Sequence, residues 1–445
     1  MTIVPFRHGG NHGRRKIAVV GSGVSGSAAA WALRGIADVT LYEADSRPGG
    51  HTATVEVDYD GVPVRVDTGF IVYNELNYPD LTALFAHLGV ATHESAMGFS
   101  LSLDGGRLEW CGESYAKIFA RRRNALSPSF LWMLREILRF NRQCVADRDS
   151  GFVGHSTIGE YLARRKFSAA FRDDYLIPIA AAIWSTPHAE MLDYPAVAFI
   201  SFFENHRLIH DERPVWRTVT GGSRNYLDRL LAPLGDNLRL GTPVRSILRD
   251  AFGATVWAAG GDAERYDHVI VAAHTDQALA LLGDPSPTEH RILSAIRYRP
   301  NRVVLHRDER LMPRRRAAWS AWNYLRSSEA GRGTDVSITY WMNRLQGIDP
   351  ARPLFVSLNP TTQPRDELVF GEWTFDHPQF DARALSAQAR LDDVQRVRNT
   401  SFAGAWTGHG FHEDGLRSGL DAAIALGATV PWRRATVPAL ELAAE

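Results

Sequence analysis

The stretch that most constrains this chain runs from Lys16 to Glu43. KIAVV is a short, continuous apolar run, the pattern of a parallel strand covered on both faces. It leads directly into GSGVSG, which places Gly21, Gly23 and Gly26 in a G-x-G-x-x-G arrangement. SAAAWALRG continues with small and apolar residues at helical spacing, and DVTLYEA reads as a second strand ending at Glu43. The order strand, glycine turn, helix, acid-tipped strand predicts a βαβ unit that binds a dinucleotide. Its glycines serve a tight turn, close approach of backbone to a pyrophosphate, and close packing of helix on strand. The helix N-terminus offers free N–H groups and the positive end of its dipole to the phosphates. Glu43 lies about 20 residues on, where a carboxylate accepts from ribose hydroxyls and would repel the extra phosphate of NADP.

The residues after Glu43 narrow the ligand. ADSRPGGH supplies Arg47, Gly49 and Gly50, and a second glycine turn with an arginine can wrap another face of the same dinucleotide. The E-x-x-x-R-x-G-G arrangement resembles the FAD site of the flavin-containing amine oxidoreductase superfamily, which includes monoamine oxidases, protoporphyrinogen oxidases and phytoene-type desaturases. More matches occur along the chain. TATVEVDYDGVPVRVDTG alternates around Asp60-Gly61, a hairpin signal, and ends on Asp67-Thr68-Gly69, similar to the family's D-x-G. TVTGGSRNYLDRL resembles its glycine turn before a helix, with Ser223 where methionine is common. LRLGTPVRSILRD is similar to the strand whose Val244 backbone meets adenine in relatives, and YDHVIVAAH to the returning strand.

The resemblance implies an α/β chain: a Rossmann-like FAD-binding domain of the two-dinucleotide-binding-motif type, with an inserted α+β substrate domain. FAD-binding segments are expected at 16–75, 215–285 and 396–432, and the substrate domain at 76–214 and 286–395. Residues 1–15 are expected to be a disordered tail and 433–445 a C-terminal one. The FAD contacts it implies come from Gly21, Gly23, Ser25 and Gly26 at the first turn, and Glu43, Ala44, Arg47, Gly50 and His51 at the second. Further along they come from Asp67, Gly69 and Val244, then Trp406, Gly415 and Leu416. Some relatives attach flavin through a cysteine near the C-terminal motif; neither Cys111 nor Cys144 is close to it, so non-covalent FAD is expected.

Composition removes several function classes. The 445 residues carry 50 basic and 50 acidic side chains, so no global field draws nucleic acid. Two cysteines make no disulfide framework and fit a reducing compartment. The first fifteen residues lack the apolar core of a signal peptide, and no apolar run approaches the roughly 18 residues of a membrane span. A cytoplasmic protein is expected. Two basic-aromatic clusters, Arg121 to Arg123 before SFLWMLREILRFN, and MPRRRAAWSAWNYL, read either as an anionic-membrane docking surface or as packed elements beside solvated charge. No metal site is expected, since His8 and His12 lie in the tail, no HExxH occurs, and His409 and His412 sit in a glycine-rich context.

The end of the chain, FAGAWTGHGFHEDGLRSGL, sets glycines and titratable side chains at the entrance to the alanine-rich SGLDAAIALG. It resembles the family's last FAD-domain strand, glycine turn and helix, whose dipole can face the flavin. His412 is the expected base, because an unperturbed imidazole titrates near neutrality, with Glu413 as second choice; both serving only to position the loop is the other reading. Tyr340, Trp341 and Asn343 in VSITYWMNRLQG are candidates to line a pocket, and Tyr340 is the third catalytic candidate after His412 and Glu413.

The whole pattern is most similar to a bacterial subgroup commonly encoded beside cyclopropane-fatty-acyl-phospholipid synthase-like methyltransferases. That implies a lipid substrate, with such a methyltransferase as a partner and desaturation of a methylated acyl chain of a phospholipid as the reaction. True amine oxidases usually place a lysine near the flavin from the later half of the substrate domain; here no lysine follows Lys166. Amine or polyisoprenoid oxidation is the alternative enzyme reading, and a lipid carrier of the GDP-dissociation-inhibitor type the alternative of another class.

Overall fold

The computed structural model describes residues 13–327 and 337–433. The apolar run forms strand β1 (Arg15–Val20), and the glycine turn opens helix α1 (Val24–Leu33). DVTLY falls in β2 (Ala37–Tyr42). Three further strands, β3 (Leu238–Arg239), β4 (His268–Val271) and β5 (Thr400–Phe402), complete a five-stranded, wholly parallel sheet of order β3-β2-β1-β4-β5. β4 and β5 are buried throughout, which explains why VIV in β4 reads as an unbroken apolar run rather than an alternating one. LRLGTPVRSILRD divides at Gly241 into β3 and a separate strand, Val244–Asp250. That second piece starts a three-stranded antiparallel meander.

The DYDG hairpin pairs Thr54–Tyr59 with Val62–Asp67. Its turn puts Asp60 and Gly61 at φ 53 and 85, the left-handed pair that a two-residue primed turn requires. A seven-stranded mixed sheet carries much of the remaining β structure. Its members include Phe99–Leu103, Arg297–His306, Trp322–Arg326, Ser337–Trp341 and Val369–Gln379.

Six more helices matter for the site. They are α2 (Pro79–Leu88), α3 (Pro128–Asp149), α4 (Ile177–Trp184), α5 (Ala196–Asn205), α6 (Arg224–Leu231) and α7 (His412–Ala425). Helices α3, α4 and α5 share one apolar cluster built on Phe130, Phe140, Ile177, Phe199 and Phe203. α2 packs elsewhere: Leu81, Leu84 and Phe85 lie in the core of the parallel sheet beside α1, α6 and α7. No helix among the described residues is long and apolar enough to cross a membrane.

The tail expectations fall mostly outside the described residues, at 1–12 and 434–445. Where residues are described they are anchored. Arg15 begins β1, Trp432 stacks on Trp31 at 5.7 Å, and Arg433 binds the carboxylates of Asp80 and Asp421. A tail beginning at 433 is therefore corrected, because two ion pairs and a hydrogen-bonded indole tie this stretch to α2 and α7.

The second basic-aromatic cluster is also corrected as a docking surface. Trp319 is buried and donates its indole N–H to the Pro313 carbonyl at 2.7 Å. Arg315 reaches the fully buried Glu109 at 2.8 Å, and Arg316 pairs with Glu309. These two arginines neutralise acids of the fold rather than building a free cationic face.

Candidate active site

The three glycines of the first turn have separate reasons to lack a side chain. Gly21 sits at φ +98, where a Cβ would lie 2.5 Å from the Ala272 carbonyl oxygen. A Cβ on Gly26 would come within 1.9 Å of the Gly21 oxygen, so α1 lies close on the turn only because that atom is missing. Gly23, the N-cap of α1, has no protein atom within 4 Å of where a Cβ would stand, and no side chain caps the helix. The open amides of α1 therefore face a cavity. Glu43 fixes this turn by accepting the Ser22 N–H and the Asp45 N–H, each at 2.9 Å. Arg47 donates to the Gly50 carbonyl at 3.0 Å and makes no ion pair among the described residues.

The cavity has a volume of ≈ 1050 Å³ and runs from this cradle deep into the molecule. Gly21, Gly23, Ser25, Glu43, Ala44, Arg47, Gly50, His51, Gly69, Val244 and Trp406 all line it, as do His412 and Tyr340. An uncapped helix N-terminus, an unpaired arginine and an acid at the tip of β2 match the pyrophosphate and ribose of a dinucleotide. The donor set thus fits FAD. Cys111 and Cys144 are buried away from the cavity, so neither tethers it.

Four expected contacts lie elsewhere. Gly26 works through packing, as above. Asp67 accepts the Ser223 N–H and hydroxyl and the Gln346 amide, each at 2.9 Å, and so joins the hairpin to α6 and to the 342–346 helix. Burial raises its pKa to about 6 against the opposing hydrogen bonds from Thr54 and Ser223. Gly415 and Leu416 are corrected as flavin contacts: Leu416 is fully buried core. A Cβ on Gly415 would stand 2.7 Å from Val24, and one on Gly419 2.0 Å from the Ser25 oxygen. The glycines of α7 let two helices touch. Gly404 likewise makes room for the Trp406 indole, which donates to the Ala273 carbonyl at 3.1 Å.

The expected catalytic pair separates. Glu413 does not reach the cavity. Its carboxylate accepts the N–H groups of Asp80 and Leu81, at 2.8 and 3.0 Å, and caps α2. Burial raises its pKa to about 7. This role as a helix cap corrects the expectation of a base. His412 does line the cavity, stacked on Phe70 at 3.8 Å with its Nε2 2.5 Å from the Tyr226 hydroxyl. Burial lowers its pKa to about 3, far from the near-neutral value that suits a general base. Of the three candidates on VSITYWMNRLQG, only Tyr340 reaches the cavity, edge-on to Trp322 at 5.0 Å.

On the deeper wall His51, expected as an FAD contact, meets two residues that sequence reasoning passed over, His274 and His377, with His51 5.5 Å from His377 and 6.3 Å from His274. Burial, then the neighbouring imidazoles, hold His51 well below its usual range, and its Nε2 is buried without a partner. Burial also lowers His377 and His206 to about 4. These side chains are neutral at physiological pH. Met97, Ile183, Phe202, Leu208, Trp322 and Val356 add hydrocarbon to the lining. Besides Tyr340, the alternation in EWTFDHPQF, on the 369–379 strand, carried a local trace of this end.

Comparison with known proteins bears on what fills such a cavity. The chain resembles a double mutant of putrescine oxidase redesigned at its cofactor site, at 19% identity over 93% of this chain and 98% of that one, with TM-score 0.67. It resembles cyclohexylamine oxidase from Brevibacterium oxydans at 17% identity over 93% and 99%, with TM-score 0.66. A fatty acid isomerase from P. acnes that produces CLA is similar at 16% over 93% and 99%, with TM-score 0.64. These likenesses show the fold alone. No curated protein matches the chain by sequence. The family model of flavin containing amine oxidoreductases matches residues 24–348, which begin just after Gly23 and take in Glu43, Arg47 and part of the deep wall. The chain belongs to the flavin-containing amine oxidoreductase family and is an FAD-dependent oxidoreductase.

Proposed function

We propose that this enzyme removes a hydride from a C–H bond of an apolar substrate, a methylated fatty acyl chain carried on a phospholipid, leaving a new double bond. The hydrocarbon wall beyond the cradle carries the reading: Met97, Ile183, Phe202, Trp322, Val356 and Leu358 face it, and no lysine lines it among the described residues. Such a wall recognises an extended alkyl chain by area alone. The similar structure of a fatty acid isomerase from P. acnes supports an acyl chain as the substrate. FAD, when bound, supplies hydride acceptance. The chain's residues orient the acyl group, exclude water and offer Asp376 as an acceptor for the accompanying proton.

Asp376 also favours a second reading. Among the described lining residues it is the one carboxylate besides Glu43 and Asp45 at the cradle, and an ammonium group could pair with it. Amine oxidation is that reading, and two of the similar structures are oxidases named for amines.

The test is anaerobic titration of the yellow protein. Bleaching of the flavin band by phospholipid bearing a methylated unsaturated chain, and not by putrescine or cyclohexylamine, is the expected result. Bleaching by an amine alone, lost in Asp376→Asn, would overturn the lipid reading in favour of the amine.

A further inference from the structure

The first basic-aromatic cluster behaves differently from the second. Apolar side chains stand out from it: Leu126 is 84% exposed, Leu138 55%, Trp132 50% and Leu131 46%. Leu131, Arg135, Leu138 and Arg142 fall at intervals of four, three and four, which is one stripe of a helix. The opposite side of α3, with Phe130, Met133 and Phe140, is buried in the cluster it shares with α4 and α5. Those two helices in turn give Ile183 and Phe202 to the apolar end of the cavity. The exposed stripe is thus the outer surface of the helical layer that walls the substrate end.

Basic residues outnumber acids along this stretch, although Lys117 is paired with Glu113 and Arg139 with Glu136. Between Tyr115 and Arg142 stand Lys117, Arg121, Arg122, Arg123, Arg135, Arg139 and Arg142, against Glu136 alone. Glu136 is buried, where it binds the Ser168 N–H at 3.1 Å. Arg122, Arg123, Arg135 and Arg142 make no ion pair among the described residues, and Arg135 lies over the Trp132 ring at 5.2 Å. A chain with balanced charge overall has concentrated unpaired arginines around exposed leucine and tryptophan.

We infer that this face seats the enzyme on an anionic lipid surface, with the arginines on headgroup phosphates and Trp132, Leu126, Leu131 and Leu138 at the acyl boundary. Polyanionic nucleic acid would use the arginines and leave the leucines and tryptophan without a partner, whereas a lipid interface uses both. A second copy meeting this face across a two-fold axis would set arginine clusters against each other. The inference stands on the surface alone and does not require that the substrate be lipid.

The experiment is co-sedimentation of the flavin-loaded enzyme with vesicles of phosphatidylcholine, with and without phosphatidylglycerol. Binding is expected only with phosphatidylglycerol and is expected to fall as salt rises. Each of Arg122→Ala, Arg123→Ala and Arg135→Ala should weaken partition by about fivefold. Trp132→Ser combined with Leu126→Ser should reduce binding at high salt more than at low salt. All these positions are exposed, so flavin content and melting temperature should stay at wild-type values. Equal binding to both vesicle types, or variants that bind as wild type does, would overturn the inference. So would a lipid-free dimer that Trp132→Ser turns into monomer, because the face would then belong to a second copy. Vesicle binding is read without turnover, so failure here and failure of the acyl-chain reading are separate results.

Discussion

The two ends of the cavity are made of opposite materials. At the cradle, recognition is done by backbone: open amides of α1 beside Gly23, a turn fixed by Glu43, and one unpaired cation, Arg47. At the deep end it is done by side chains, with neutral imidazoles and hydrocarbon drawn from stretches far apart in sequence, between His51 and His377. Backbone recognition demands the absence of atoms, so it tolerates no substitution and is written in glycine. Side-chain recognition demands a summed shape, which many residue combinations satisfy. The first end fixes which cofactor chemistry the protein performs, and the second fixes on what.

The sharpest way to break this contrast is at Gly26. Gly26→Val would force branched carbon into the Gly21 carbonyl, where even a Cβ stands at 1.9 Å. Loss of flavin and of soluble protein is expected, read by absorbance and circular dichroism. A yellow, folded variant would show that α1 need not lie so close. Next in size is Arg47→Ala, which removes the cradle's free cation. A charge-assisted hydrogen bond is worth about 1.5–3 kcal/mol, so flavin affinity should fall about 10- to 150-fold in a calorimetric titration of apoprotein. Arg47→Lys should recover part of that, since the charge survives without the guanidinium fork.

Most of the cradle was legible in the sequence because its causes are local. A strand, three glycines and an acid lie between Lys16 and Glu43, and each is constrained by its immediate neighbours. Asp67 shows where that legibility stops. Its D-x-G setting resembles a cofactor contact, yet its donors are Ser223 and Gln346, 156 and 279 positions away. Gly415 fails for a related reason. A glycine in the first turn of a helix looks the same in sequence whether bare backbone faces a ligand or faces Val24 of another helix. The arginine run at 314–316 read as a free charge cluster, because Glu109, 206 positions earlier, could not be placed beside Arg315. Arg122 and Arg123 differ from it in having no such acid delivered to them among the described residues.

A smaller effect is expected at His412, which lies on the cavity wall. Removing a true general base typically costs about 100- to 10,000-fold in rate. With its pKa lowered to about 3 by burial, His412 is already neutral throughout the working range. His412→Ala should therefore keep its flavin and lose less than about tenfold in rate, with no displacement of the pH–rate profile. A loss beyond about a hundredfold, or a vanished acidic limb, would return His412 to the proton transfer. The contacts it gives up are stacking on Phe70 and the Tyr226 hydroxyl, which keeps Thr52 at 2.8 Å as a partner.

The smallest effect is at Glu413, and it is one of pH. Its pKa is raised from 4.5 to about 7 because burial disfavours the carboxylate more than the Asp80 and Leu81 N–H groups favour it. The folded protein thus holds this proton where the unfolded chain has released it. The stability it contributes is complete below pH 4.5 and is lost as pH rises through 7. Asp67, raised to about 6, acts with the same sign, so the comparison must be between variant and wild type at each pH. Glu413→Gln keeps a carbonyl acceptor for α2 and cannot ionise. Its melting temperature should match wild type at pH 4.5 and exceed it by a few degrees above pH 7. Equal melting temperatures across that span would mean that Glu413 is ionised at no cost, and that the two N–H groups at the start of α2 outweigh its burial.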